Sequence, residues 1–220
     1  MSIVQELGAA SLQKTEVLSN RQNFNFGLVS KRAFDIMFSS VALIFVAPLI
    51  VLAAIAIKFD SPGPIFYRQK RYGLNGKIFT IWKLRSMSSA PSAAFVQCTA
   101  NDARVTKIGN LLRRFSIDEL PQLMNVLLGD MSIVGPRPHP LNLDQVFSAK
   151  IPGYMSRYKV RPGLTGLAQV QGLRGPTPTT EIMGQRVAAD LEYAGKASLA
   201  YDLLIIMRTF PVLLTSKNAL

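Results

Sequence analysis

Acid is scarce in this chain. Asp and Glu together number 13 against 25 Lys and Arg, a formal net charge of +12. An excess of that size argues for an anionic partner: nucleic acid, acidic lipid or a phosphate-bearing substrate. Cysteine is nearly absent. A lone Cys98 excludes an internal disulfide and any cysteine-rich zinc site, and fits a reducing compartment. The one histidine, His139, has no evident orienting partner and reads as a solvent-facing loop residue rather than a general base. There is no G-x-G-x-x-G run and no internal repeat. Residues 1–30 show no apolar core of a cleavable signal peptide and read as a tail, frayed or briefly helical.

What the chain has in plenty is apolar sequence, 49% of all residues, high for a soluble domain of this length. Much of it lies in KRAFDIMFSSVALIFVAPLIVLAAIAIKFDSPGP, uncharged from Ile36 through Ile57. Straight, at about 1.5 Å per residue, that stretch reaches about 33 Å, against a hydrocarbon core of about 30 Å. An ordinary spanning helix is one reading. Pro48 opposes it, because proline removes a backbone hydrogen bond and disrupts a helix. A sharp break there leaves legs of about 18 and 15 Å, neither able to cross. Both flanks are basic, with Lys31 and Arg32 before and Lys58, Arg68, Lys70 and Arg71 after, which favours both ends on the cytoplasmic side. Composition alone leaves a kinked spanning helix and a dipping, re-entrant one level.

Downstream, PIFYRQKRYGLNGKIFTIWKLRSM reads as a β-hairpin about a Gly73–Gly76 turn, with Lys83 and Arg85 on its second strand. A solvated basic face is the plain reading of both. SSAPSAAFVQCTANDA reads as a loop. RVTKIGNLLRRF predicts a short basic amphipathic helix with Ile108, Leu111 and Leu112 on one side. In SIDELPQLMNVLLGDMSIVGPRPHP, Leu120, Leu123, Met124, Leu127 and Leu128 recur on one helix face. Pro121 places the helix start near Asp118, Ser116 with Glu119 matches a capping box, and Gly129 ends the helix. Asp118 and Glu119 either cap that helix or do chemistry. Pro136, Pro138 and Pro140 stiffen the next loop and hold Arg137 at low entropic cost, as a phosphate-gripping guanidinium requires; a rigid surface turn is the alternative. RPGLTGLAQVQG carries two turn signals, Pro162-Gly163 and Thr165-Gly166. Helices are predicted from about Glu181 to Tyr193, including Asp190, and over SLAYDLLIIMRTFPVLLTS, too interrupted to span but suited to a membrane interface. Asp190 and Asp202 read most simply as helix-surface acids.

Together KRAFDI, the proline-interrupted apolar segment, the hairpin, RVTKIGNLLRRFSIDELPQLMNVLLGDMSIVGPRP and RPGLTGLAQVQG resemble the bacterial sugar transferases, the small monotopic polyprenyl-phosphate phosphoglycosyl transferases. The likeness runs from about Lys31 to Ser216. It implies an α/β membrane-associated monotopic domain: a 1–30 tail, a re-entrant helix-break-helix over 31–58 with its break at Pro48, and a cytoplasmic catalytic domain over 59–220 with a β-hairpin and amphipathic interfacial helices. Many members carry Ser-Pro at the break where this chain has Ala47-Pro48.

The activity implied is transfer of a hexose-1-phosphate, glucose or galactose favoured, from a UDP-sugar to undecaprenyl phosphate. UMP is released through a phosphosugar-aspartate, at the cytoplasmic face of the bacterial inner membrane, as the first membrane step of exopolysaccharide or other surface-glycan synthesis. Residue by residue, the family's catalytic pair falls on Asp118 and Glu119, its strand lysine on Lys83, its preceding basic residue on Arg113 and its Arg-Pro motif on Arg137 and Pro138. Looser matches place substrate-binding roles on Arg161, Asp190 and Asp202. Mg²⁺ is the implied cofactor, with Asp118 and Glu119 as metal ligands, and helix-start amides are expected to keep Asp118 ionised. Implied partners are the UDP-sugar, undecaprenyl phosphate and inner-membrane lipids. A homo-oligomer is allowed, and nucleic acid is not expected, since no stacking-platform motif is present. The competing reading is a non-catalytic membrane-bound module of a polysaccharide assembly complex.

Overall fold

A computed structural model describes residues 3–88, 102–175 and 177–215; most of the loop read at SSAPSAAFVQCTANDA, with Cys98, lies outside them. Helix α1, Ile3–Asp60, takes in most of the segment read as a tail and passes through Pro48 as one helix. The expected helix-break-helix is therefore replaced by a continuous run. The reason is a stripe of contacts on both sides of Pro48. Asp35, Ser39, Ala53 and Ile57 are buried. Between them Ala42, Leu43, Val46 and Ile50 pack partly buried against the domain. That i, i+3/i+4 spacing is one helix face, and it holds both halves in line although Pro48 withholds an N–H. The opposite face stays bare, with Phe45 at 79% and Leu52 at 65% exposure.

The predicted hairpin forms. Strands β1, Phe66–Tyr72, and β2, Ile78–Leu84, pair antiparallel with Tyr67 opposite Lys83 and Arg71 opposite Phe79. Asn75, at φ 54°, and Gly76, at φ 75°, make the turn. Helix α2, Lys107–Arg114, is capped by the Thr106 side chain accepting from the Gly109 amide. Its Leu112 is buried, but Leu111 is half exposed rather than sharing that face. Helix α3 spans Gln122–Leu128, and Gly129 at φ 88° terminates it, as read from the sequence. Its buried side is not the expected one. Leu123 and Val126 face inward with Gln122 and Asn125, while Met124 and Leu128 face out. Asn125 decides this: its Oδ1 accepts from the Trp82 amide at 3.0 Å and its Nδ2 donates to the Thr80 carbonyl at 2.8 Å, stitching α3 to β2.

Two three-residue strands, β3 (Ser132–Val134) and β4 (Gly163–Thr165), pair in parallel. The second falls where the sequence signals turns. Its glycines serve close approach instead: a Cβ on Gly135 would sit 2.2 Å from the Arg161 carbonyl oxygen, and one on Gly163 would sit 2.1 Å from the Gly135 nitrogen. The backbone before Arg137 is thereby pressed against the 161–163 segment. Helices α4 (Leu141–Ser148), α5 (Leu167–Val170), α6 (Thr180–Lys196) and α7 (Leu199–Thr215) complete the described chain, the last two as predicted. The main core joins Phe79 and Ile81 of the hairpin to Leu123, Val126, Ile133, Val134, Tyr193 and Ile205. A second cluster gathers Phe147, Tyr154, Tyr158, Met183 and Val187.

Candidate active site

The two acids of the DELPQL run sit in a 3-10 turn, Ile117–Glu119, between α2 and α3. Ser116, at φ 55°, turns the chain into it. The capping box does not form: the Ser116 hydroxyl caps nothing and instead accepts from Arg174 Nη2 at 2.8 Å. Both carboxylates are buried, at 7% and 8% exposure. About 120° separates neighbours in a 3-10 turn, so the two side chains meet different surroundings.

Glu119 is held from two sides. Lys83 Nζ donates to its Oε1 at 2.7 Å; Arg137 donates through Nη1 to Oε2 at 3.0 Å and through Nη2 to Oε1 at 2.5 Å. Burial alone would push its carboxyl up, but Arg137 and Lys83 overcome that and hold it well below the usual carboxylate range. Asp118 has no hydrogen bond or ion pair among the described residues. Burial pushes its carboxyl up to about 6, against the pull of Lys83. The expected lowering by helix-start amides does not arise, because Asp118 lies in the 3-10 turn and α3 begins only at Gln122. Lys83 reaches the site by strand alternation: it shares the inward face of β2 with Phe79 and Ile81. Burial lowers its ammonium, with Glu119 offsetting part of the effect.

Arg137 is the half-buried residue of a loop otherwise packed inside, not of a solvated surface turn. Behind it stands Arg157, fully buried. Its Nη2 donates to the Arg137 carbonyl at 2.9 Å and to Asp190 Oδ2 at 2.5 Å. Asp190 is therefore a buried ion-pair partner of Arg157 and not a surface acid. Asp202 is likewise buried, pairing with Lys31 and accepting from Tyr193 Oη at 2.7 Å. Arg161 donates to the Gly129 carbonyl at 3.0 Å. Among the described residues no hydrogen bond or ion pair links Asp190, Asp202 or Arg161 to Asp118 or Glu119. Arg113 is near enough for its charge to favour ionised Asp118. Pro138 lines a cleft of about 140 Å³ beside the dyad, together with Lys83, Arg137 and three residues that carry no sequence signal for it, Arg71, Gln122 and Arg186. His139 lines it too. It is buried at 4% exposure and not solvent-facing. Arg85, expected as a solvated basic residue, is buried and donates to the Pro62 and Ser61 carbonyls at 2.6 Å each.

No three His, Cys, Asp or Glu side chains among the described residues gather as a metal cage. What the site offers is a free acid, a second acid fixed between two cations, and a strongly basic cleft alongside. Such a set suits chemistry on a phosphate ester.

The family model for bacterial sugar transferases matches residues 26–216. A UDP-glucose:undecaprenyl-phosphate glucose-1-phosphate transferase of Caulobacter vibrioides is 54% identical over 86% of this chain and 71% of its own length. The Escherichia coli protein of the same name is 49% identical over 81% of this chain but only 39% of its own length. An exopolysaccharide production protein, PSS, of Rhizobium leguminosarum is 46% identical over 83% of this chain and 94% of its own. This chain is a member of the bacterial sugar transferase family.

Proposed function

We propose that the protein transfers glucose-1-phosphate from UDP-glucose to undecaprenyl phosphate, releasing UMP, with Asp118 as nucleophile. The observation that carries the reading is the division between the two acids. Glu119 is spoken for by Lys83 and Arg137, while the neighbouring Asp118 carries an unshared carboxylate. In the first step an Asp118 carboxylate oxygen attacks the phosphorus nearest the hexose. A P–O(Asp) bond forms, and the bond to the bridging oxygen breaks, leaving with UMP. In the second, an oxygen of the prenyl phosphate attacks the same phosphorus, and Asp118 departs as carboxylate. Lys83 and Arg137, fixed by Glu119, stand ready for the charge that gathers on phosphoryl oxygens. Glu119 acts by holding these cations rather than as a second nucleophile. The sugar follows the names of two close relatives.

Mg²⁺ fits the donor set in one way. Magnesium commonly takes one or two carboxylates and completes its shell with water and substrate phosphate oxygens. Asp118 would be its first protein ligand, and Glu119 Oε2, which accepts from Arg137 alone, keeps a lone pair that could join it. The ion would neutralise diphosphate charge.

The same reading places the protein on one leaflet, at the cytoplasmic face of the inner membrane. Supporting it is that both ends of the apolar part of α1 touch one domain. At the start, Arg32 donates to the Val126 and Leu127 carbonyls at 2.6 and 2.9 Å, and Asp35 accepts from Ser132 Oγ and the Ile133 amide, each at 3.0 Å. At the end, Ala53 and Ile57 cluster with Leu84 and Leu112. Asp35 and Ile57 are about 33 Å apart along a helix, a full membrane thickness, so a crossing helix would tear one of these contacts from the domain. The prenyl phosphate lies at that depth.

The deciding test is UMP release by the full chain in detergent or nanodiscs, with Mg²⁺, undecaprenyl phosphate and a panel of UDP-sugars. UDP-glucose is expected to be used in preference to the others, and Asp118→Asn to lower turnover by about 10³-fold or more. Unchanged turnover in that variant would remove Asp118 as nucleophile; no turnover of any UDP-sugar by the wild type would favour the non-catalytic module.

A further inference from the structure

Two acids share one turn, yet only one of them is held by its side chain. Glu119 is fixed by Lys83 and Arg137. Asp118 accepts no hydrogen bond among the described residues, so its aim is set by the backbone that carries it. That backbone is entered through Ser116, at φ 55° and ψ 23°. The left-handed region costs a residue with a side chain a steric penalty that glycine escapes. The turn is built on this one residue. The Ser116 amide donates to the Arg113 carbonyl at 3.0 Å, at the end of α2, and the Ser116 carbonyl accepts from the Glu119 amide at 3.2 Å, opening the 3-10 turn. A serine relaxed to negative φ would redirect the chain and swing Asp118 with it.

One side chain from outside the turn holds Ser116 there. Arg174 Nη2 donates to its hydroxyl at 2.8 Å, across 58 residues of sequence. Arg174 is itself delivered by a rigid segment. Helix α5 ends in a Schellman motif, with Gly172 at φ 81°. The Gly172 amide donates to the Gln169 carbonyl at 3.2 Å and the Leu173 amide to the Ala168 carbonyl at 2.9 Å. Leu173 packs against the main core. On the far side, the Gly175 carbonyl accepts from Arg186 Nη2 at 2.9 Å. Arg174 therefore leaves a backbone pinned both before and after it.

Its charge is placed accordingly. No carboxylate pairs with Arg174 among the described residues. Burial lowers its guanidinium, Glu119 offsets part of that, and Arg137 and Asp118 follow with opposite signs. The field of Arg174 thus reaches both acids. Its one side-chain hydrogen bond among the described residues goes instead to the hydroxyl that shapes their turn.

Resting on the reading of Asp118 as nucleophile, we propose that Arg174 is a positioning residue for it, acting through Ser116: the guanidinium clamps the left-handed turn that aims the Asp118 carboxylate. The loss of Arg174 then falls on the chemical step and not on substrate affinity. In the full chain in detergent, with Mg²⁺, undecaprenyl phosphate and UDP-glucose, Arg174→Gln is expected to lower kcat by about tenfold or more and to leave KM for UDP-glucose within about twofold. Glycine enters the left-handed region unaided, so in a Ser116→Gly background the same change is expected to cost less than about threefold in kcat. Hydrogen exchange reads the turn without turnover. The Glu119 and Leu120 amides, bonded back to the Ser116 and Ile117 carbonyls, should exchange faster in Arg174→Gln than in the wild type, and equally fast in Ser116→Gly with and without Arg174→Gln. A raised KM at unchanged kcat would make Arg174 a substrate ligand. An equal penalty in both backgrounds would mean that it does not act through Ser116, and unaltered exchange that the turn holds itself. Each overturns the proposal. Should Arg174→Gln fail to fold, Ser116→Ala removes the acceptor while keeping a side chain at φ 55°. It is expected to lower kcat in the same way, and full turnover in it is equally fatal. A wild type that turns over no UDP-sugar sinks the proposed reaction, whereas the exchange comparison still decides whether Arg174 holds the turn.

Discussion

Asp118 is where stability and chemistry pull apart. A carboxyl lifted from 3.8 to about 6 by burial prefers to be protonated in the fold. Below the unfolded value both states hold the proton and there is no penalty. As pH rises through 4 to 6 the unfolded chain ionises first, so stability falls, and above about 6 the loss is complete. A tenfold change in proton affinity is worth about 1.4 kcal/mol, so at pH 7 the charge costs on the order of 2–3 kcal/mol. Asp118→Asn is therefore expected to unfold at higher temperature than the wild type at pH 7.5 while losing turnover; thermal scans should show the gap closing towards pH 4. The free enzyme's kcat/KM should fall about tenfold per pH unit below about 6, as the nucleophile protonates. A variant that is both dead and less stable would mean Asp118 is a structural acid. Glu119 is the opposite case: its charge is stabilised by Lys83 and Arg137, and Glu119→Gln should lower both stability and activity.

At the scale of elements, what was legible in the sequence was local pattern. The glycine-bounded turn between two β-rich runs gave the hairpin, and the helical patterns near the end of the chain gave α6 and α7. Asp118, Glu119 and Arg137 stood out from their own surroundings, but Lys83 joined them only through resemblance, and the structure gathers the four. What escaped was decided by single contacts across the fold. β3 and β4 are too short to alternate, and their glycines signal back-to-back packing that only Gly135 and Gly163 together reveal. The inner face of α3 was misjudged because Asn125, a polar residue, is the one that must reach β2. The capping box failed because Arg174, 58 residues away in sequence, takes the Ser116 hydroxyl. Arg71, His139 and Arg186 carried no local sign of convergence. The membrane helix is the element that departs furthest from its sequence pattern, and its placement is open to direct test. Single cysteines at Ser30 and at Pro62, in Cys98→Ser protein in sealed inside-out vesicles, should both react with a membrane-impermeant maleimide. Protection of one alone would mean the helix crosses.

For the whole molecule, two forces compete to hold the domain at a bilayer, and they differ in their response to salt. The basic excess is attracted to anionic headgroups by about 1 kcal/mol for each Lys or Arg near the surface. At 1 M salt the Debye length shrinks to about 3 Å, so this attraction largely vanishes. The apolar contribution is not weakened by salt. Ile44, Phe45, Leu52 and Phe59 on α1, Phe115 and Leu128 around α3, and Met207 and Phe210 on α7 are all at least 60% exposed. Each such side chain gains roughly 1.5–3 kcal/mol on full burial, a contribution that persists when the charge attraction is screened. The protein should therefore float with vesicles equally well at about 0.1 and 1 M NaCl and come free only in detergent. Phe45→Glu combined with Leu52→Glu, both on the bare face of α1, should weaken flotation at both salt concentrations. Release of the wild type by 1 M salt would show instead that charge anchors it, and that the bare face of α1 packs against something other than lipid.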